Sequence, residues 1–158
     1  LMGLPRSGKS SIIGVVFMGK SPTETLFLET TNQITKQDVS QCSFVKYEVW
    51  DLPGHLDAVF QSPYLFSQAC AIVFVIDAQL DYMQALQRLS AFIDSAYRSN
   101  PNIKIEVFIH KVDCLTDDRK IEVQRDITQR VGSVIDDLFY DCQSAGLHNG
   151  AINPINIG

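Results

Sequence analysis

GLPRSGKS, running from Gly3 to Ser10, has the spacing GxxxxGK[ST], and each fixed position in that pattern answers a chemical need. Glycine lets a turn bring successive amides close to an anion, so the N–H groups of Arg6, Ser7, Gly8, Lys9, Ser10 and Ser11 can line a cradle for a β-phosphate. The positive end of a following helix adds to the attraction. Lys9 can reach the β- and γ-oxygens, and the Ser10 hydroxyl can ligate Mg²⁺. A glycine turn that merely caps a helix is the alternative; the strand-like residues before the loop and the helical spacing after it favour phosphate.

Two further stretches extend the same chemistry. VWDLPGHLD ends an alternating apolar run in Asp51, a carboxylate placed to hold the same metal, usually through a water. Gly54 has no Cβ to keep its N–H from a γ-phosphate, and His55 follows it. HKVD, His110 to Asp113, closes another strand-like run. Asp113 can accept from both N1–H and the 2-amino group of guanine, a donor pair that adenine lacks, while the Lys111 stem lies across the ring. Hydroxyls that could complete the magnesium shell lie between Ser21 and Thr31, with Thr31 the first choice and Thr25 the second.

The elements that must position these residues are legible in the hydrophobic pattern. Leu1 and Met2 read as the end of a strand, and Ile12, Ile13, Val16 and Phe17 as a helix that stops near Gly19. Asn32 to Val39 and Phe44 to Asp51 read as two strands joined by the turn SQCS. CAIVFVIDA, Cys70 to Ala78, is a continuous β-branched and aromatic run, the pattern of a central strand covered on both faces. Asp81 offers a cap for a helix that carries Tyr82, Leu86, Leu89, Ile93 and Tyr97 in one stripe. IKIEVFIHKVD supplies the next strand, and Ile121, Ile127, Val131, Val134, Ile135 and Leu138 mark a helix over Lys120 to Leu138. This order predicts an α/β fold with a mostly parallel sheet and helices on both faces. After Phe139 the pattern dissolves into AGLHNGAINPINIG, so residues 139–158 are expected to form a disordered tail behind one domain at 1–138.

Composition narrows the partners. A chain of 158 residues with 46% apolar content fits one domain with an ordinary core. Its net charge of -5 comes without any Lys/Arg block that could track a phosphate backbone, which argues against direct nucleic-acid binding. The longest apolar run, Ala69 to Ile76, falls short of the roughly 20 residues of a membrane helix, so direct insertion is not expected. Cys42, Cys70, Cys114 and Cys142 lie far apart without a CxxC pair and read as reduced thiols of an intracellular protein.

In this order and spacing, the phosphate loop, DLPG and HKVD resemble those of a Ras-like small GTPase, a P-loop G domain. GLPRSGKSS, ETLFLETTN, VWDLPG, FVIDAQLDYMQALQRL and EVFIHKVDCLTDDRKIEVQRDI together resemble the RagC/RagD branch of the Rag GTPases, fungal members included. The resemblance implies a GTP/GDP switch with Mg²⁺, paired as a heterodimer with a RagA/RagB-type GTPase. It further implies a cytoplasmic protein recruited to the lysosomal or vacuolar surface by a lipidated scaffold complex. There it would convey amino-acid status to TORC1 subunits and answer to a GTPase-activating protein. By the same resemblance, phosphate-loop roles fall on Gly3 to Ser11, magnesium roles on Ser10, Thr31 and Asp51, and base reading on His110, Lys111 and Asp113.

Three departures from the family pattern carry expectations. His55 stands where the family usually has glutamine, so the group that orients the attacking water differs; DLPGH also resembles translational GTPases, in which histidine has that task. The sixth strand and last helix of a G domain are expected to be absent. Most of the first strand and a C-terminal dimerisation domain are expected to be missing as well. Slow hydrolysis supported by Lys9 and His55 is the leading reading. The alternative is a nucleotide-dependent interaction module with little or no hydrolysis, for which Pro5 speaks, since most fast small GTPases carry glycine there.

Overall fold

The computed structural model describes residues 1–39, 46–55, 62–144 and 155–158. Met2–Gly3 (β1) leads through the phosphate loop into Lys9–Ile12 (α1), which continues as a π-turn over Ile13–Phe17. A 3₁₀ turn at Pro22–Phe27 precedes Thr35–Asp38 (β2) and Glu48–Asp51 (β3). Pro63–Gln68 (α2), Ala71–Asp77 (β4), Met83–Ser99 (α3) and Lys104–His110 (β5) follow. A 3₁₀ turn at Val112–Cys114, then Asp117–Ser144 (α4) and Asn156–Ile157 (β6), complete the described chain. The expected SQCS turn lies outside the described residues.

β1, β4, β5 and β6 form a parallel sheet in that order, and β2 pairs antiparallel with β3, Thr35 opposite Asp51. Leu1 joins the two: its backbone nitrogen donates to Trp50 O at 2.6 Å and its carbonyl accepts from Leu52 N at 3.3 Å. Alternating bonds from one residue to two partners are those of a parallel bridge, so the strand order is β2-β3-β1-β4-β5-β6.

β4 is central, as its unbroken apolar run requires. Phe74 and Ile76 project to one side and Val75 to the other, and all three are fully buried. Phe66 from α2 and Phe74 flank the Phe92 ring of α3, with centroids 5.4 and 6.0 Å from it. Asp81, expected to cap α3, lies one residue ahead of its N-cap Tyr82, which has no side-chain cap; Asp81 Oδ1 accepts from Met83 N at 3.0 Å from that outer position. In α4 the buried stripe is Val123, Ile127 and Val131, at i, i+4 spacing. Ile121, expected in that stripe, is out of phase with it and 57% exposed.

The fold class is the expected α/β domain, but its end differs from expectation. α4 continues past 138 to Ser144, and a sixth strand is present where none was expected. The open edge of β5 explains the strand, because its backbone groups need partners. Ile109 N donates to Gly158 O at 2.8 Å and Gly158 N to Val107 O at 3.0 Å. Asn156 Nδ2 reaches Glu106 Oε1 at 2.8 Å, and Ile155 and Ile157 pack on the core. This period-two pattern is too short to be read among its Gly, Asn and Pro neighbours. The rest of the expected disordered tail, 145–154, lies outside the described residues.

Candidate functional site

Parallel pairing puts the carboxyl ends of the strands at one edge, where loops gather into a crevice. Gly3 pairs with Val75 there, and Asp77 with His110. Lys9 is buried and its Nζ donates to Gly3 O at 3.1 Å and Leu4 O at 2.9 Å, closing the loop on itself. Arg6 takes a left-handed φ of 61° and Gly8 one of 101°. The first helical bond runs from Ile12 N to Gly8 O, so the amides of Lys9, Ser10 and Ser11 have no intrahelical acceptor. The Ser7 amide differs from the expected cradle, since it turns back to Leu4 O at 3.3 Å.

At the mouth of this loop three oxygens converge. Ser10 Oγ donates a short hydrogen bond to Asp51 Oδ2 and lies 2.8 Å from Thr31 Oγ1, which itself reaches Asp51 Oδ2 at 3.2 Å. Asp51 is buried, and its Oδ1, like Ser7 Oγ, has no hydrogen-bond partner among the described residues. Two hydroxyls and a carboxylate with an uncommitted buried oxygen are a hard-oxygen set that suits Mg²⁺. Such an ion, when bound, neutralises charge on phosphate oxygens. Among the described residues there is no group of three or more His, Cys, Asp or Glu that could hold a metal by themselves. Thr25, the second choice, is apart from this set: its hydroxyl donates to Pro22 O at 2.7 Å within its own turn.

Burial pushes the Lys9 ammonium below the usual lysine range, and the Asp51 carboxylate offsets part of that. Phosphate oxygens at Lys9 would raise it again, so the bound state holds its proton to higher pH. Guanine-nucleotide affinity should therefore be constant below the lowered value and fall as pH rises through it, by up to about tenfold per pH unit. Titration calorimetry in two alkaline buffers of different ionisation enthalpy should show proton uptake on binding; equal heats would contradict this.

Gly54 sits flush against the phosphate loop. A Cβ on it would lie 2.4 Å from Pro5 N, 2.6 Å from Leu4 C and 2.8 Å from Gly3 O. Its carbonyl accepts from Arg88 NH1 of α3 at 2.8 Å. His55 is exposed and lines a cavity of about 330 Å³ together with Pro5, Asp77 and Arg88.

At the end of β5, His110 Nδ1 lies 2.9 Å from Ser7 O, and its ring packs over Gly8. Lys111, also left-handed at φ 61°, donates to Arg6 O at 2.7 Å and to buried Asp77 at 2.6 Å. Gln79 closes this corner, its amide side chain donating to Lys111 O at 2.9 Å and its backbone N–H to Asp77 Oδ1 at 3.0 Å. Asp113 is exposed and accepts from Cys114 Sγ at 3.4 Å. Asp77, Gln79 and Arg88 were not foreseen as site residues. Asp77 could have been, because a strand ending in Asp beside the HKVD strand must place it there; nothing near Arg88 in the sequence points to Gly54.

The phosphate loop, the Ser10–Thr31–Asp51 oxygens and the HKVD turn thus leave one edge of a sheet ordered β2-β3-β1-β4-β5-β6, which is the plan of a G domain. Residues 1–152 match the Gtr1/RagA G protein conserved region, and the chain belongs to that family. It is 54% identical over 140 residues to Ras-related GTP-binding protein C of Homo sapiens, covering 87% of this chain and 35% of that one. With GTP-binding protein gtr2 of Schizosaccharomyces pombe it shares 52% identity over 141 residues, covering 87% and 44%. GTP-binding protein GTR1 of Saccharomyces cerevisiae is 23% identical over 129 residues, covering 78% and 42%. The chain therefore sides with the RagC/RagD branch, and it spans less than half the length of these relatives.

Proposed function

We propose that this chain is the nucleotide-binding part of a RagC/RagD-type switch that binds GTP and GDP with Mg²⁺ and hydrolyses GTP slowly. The observation that carries this reading is the convergence of Ser10, Thr31 and Asp51 beside the phosphate loop. Those residues come from α1, the loop before β2, and the end of β3, so ligands at this point would tie three separate segments together. Lys9 holds the charge of the phosphates, and Asp113 selects guanine. His55, exposed beside the loop, hydrogen-bonds the attacking water and needs to remove no proton in a loose transition state. Replacing His55 with alanine in the full-length chain should slow single-turnover GTP hydrolysis about tenfold and leave nucleotide affinity within about threefold. Equal rates would remove His55 from the reaction.

The wider role is part of the same proposal. The chain pairs with a RagA/RagB-type GTPase and is recruited from the cytoplasm to the lysosomal or vacuolar surface by a lipidated scaffold complex. It reports amino-acid status to TORC1 subunits under the control of a GTPase-activating protein. A second reading, an interaction module with little or no hydrolysis, is favoured by Pro5, which lines the same cavity as His55. Hydrolysis that no activating protein accelerates would support that second reading.

A further inference from the structure

We infer that Arg88 is a positioning residue for His55: by holding the Gly54 carbonyl it fixes the Gly54–His55 peptide and so the direction from which the histidine ring reaches the nucleotide. Arg88 lies in α3, whose neighbouring residues Ala85, Leu86 and Leu89 are buried, so its stem leaves a rigid element. Its NH1 donates to Gly54 O at 2.8 Å across 34 residues of sequence. That carbonyl belongs to the same planar unit as the His55 N–H, so one hydrogen bond sets the orientation of the whole peptide. On its other side Gly54 is pressed against Gly3, Leu4 and Pro5, with no room even for a Cβ. Contact on one side and a charged donor on the other leave this peptide little freedom. His55 and Arg88 face the same cavity beside Pro5, which places anchor and anchored group around one space. A guanidinium suits the task because its planar fork delivers a charged donor in a defined direction, and such bonds are stronger than neutral ones. Asp77 and Asp81 line the same cavity, Asp77 already paired with Lys111 at 2.6 Å.

The inference rests on the reading of His55 as the water-orienting group, and its test separates the two. In the full-length chain, Arg88→Ala is expected to slow single-turnover GTP hydrolysis to the rate of His55→Ala, with GTP and GDP affinities within about threefold of native. Arg88→Lys, which keeps a charged donor, should recover part of the rate, and Arg88→Ala/His55→Ala should be no slower than His55→Ala alone. With a non-hydrolysable GTP analogue bound, the His55 ring resonance, assigned by its loss in His55→Ala, should shift or broaden in Arg88→Ala. An unchanged resonance, a native hydrolysis rate in Arg88→Ala, or additive losses in the double variant would each overturn the inference. If His55→Ala itself hydrolyses at the native rate, the role of His55 in the reaction fails instead, and the resonance alone then decides whether Arg88 fixes the peptide.

Discussion

Gly54→Ala is expected to leave GDP affinity within about threefold of native while GTP hydrolysis falls by roughly 100-fold. The asymmetry follows from what a Cβ at that position would strike. All three near atoms, Pro5 N, Leu4 C and Gly3 O, are backbone of the phosphate loop and have no rotamer that could move aside. The loop carrying His55 must therefore lift off, taking the Gly54 amide away from where a γ-phosphate would sit and breaking the Arg88 contact to Gly54 O. GDP, which lacks that phosphate, would not miss it. Trp50 offers an independent readout: it immediately precedes Asp51, donates to Glu48 Oε2 at 3.0 Å, and lies 3.7 Å beneath the Lys36 ammonium. Its emission should differ between GDP and GTP-analogue forms of the native protein and not in Gly54→Ala. A variant that hydrolyses GTP at the native rate would show that the contact with the phosphate loop is not needed.

Legibility in the sequence followed the range of the interactions involved. GLPRSGKS and HKVD are readable because each motif is complete within a few residues, on strand ends marked by apolar runs. Thr31 could be preferred over Thr25 but not placed, since its meeting with Ser10 and Asp51 spans 21 and 20 residues of sequence. Arg88 left no local trace. Neither did the left-handed backbones of Arg6 and Lys111, a conformation that costs about 1–2 kcal/mol for a residue with a side chain. They persist because Lys111 Nζ binds Arg6 O and Asp77 together, a support that exists only once β4 and β5 lie in register. The sixth strand was illegible for a similar reason: Asn156–Ile157 becomes a strand through the unpaired edge of β5, not through its own propensity.

Gly8 lies directly beneath the His110 ring, and its substitution should have the largest effect on folding and binding together. Two independent costs arise in Gly8→Ala. The φ of 101° is hostile to any side chain, and a Cβ would lie 2.3 Å from both Nδ1 and Cε1 of His110. Strain and overlap together should lower stability by about 2–5 kcal/mol and nucleotide affinity by at least 100-fold. Only the second cost depends on the imidazole. Removing the ring in His110→Ala gives up its contact with Ser7 O, worth about 1 kcal/mol, yet in the Gly8→Ala background it also removes the overlap. Denaturant unfolding of the full-length chain should therefore show Gly8→Ala/His110→Ala losing about 1–3 kcal/mol less than the sum of the single variants. Additive losses would mean that the ring swings clear at no cost, leaving backbone strain as the whole reason for glycine. A recovery of stability without a matching recovery of nucleotide affinity would instead assign His110 to the site itself, because the chain would then fold around a phosphate loop that still lacks its anchor.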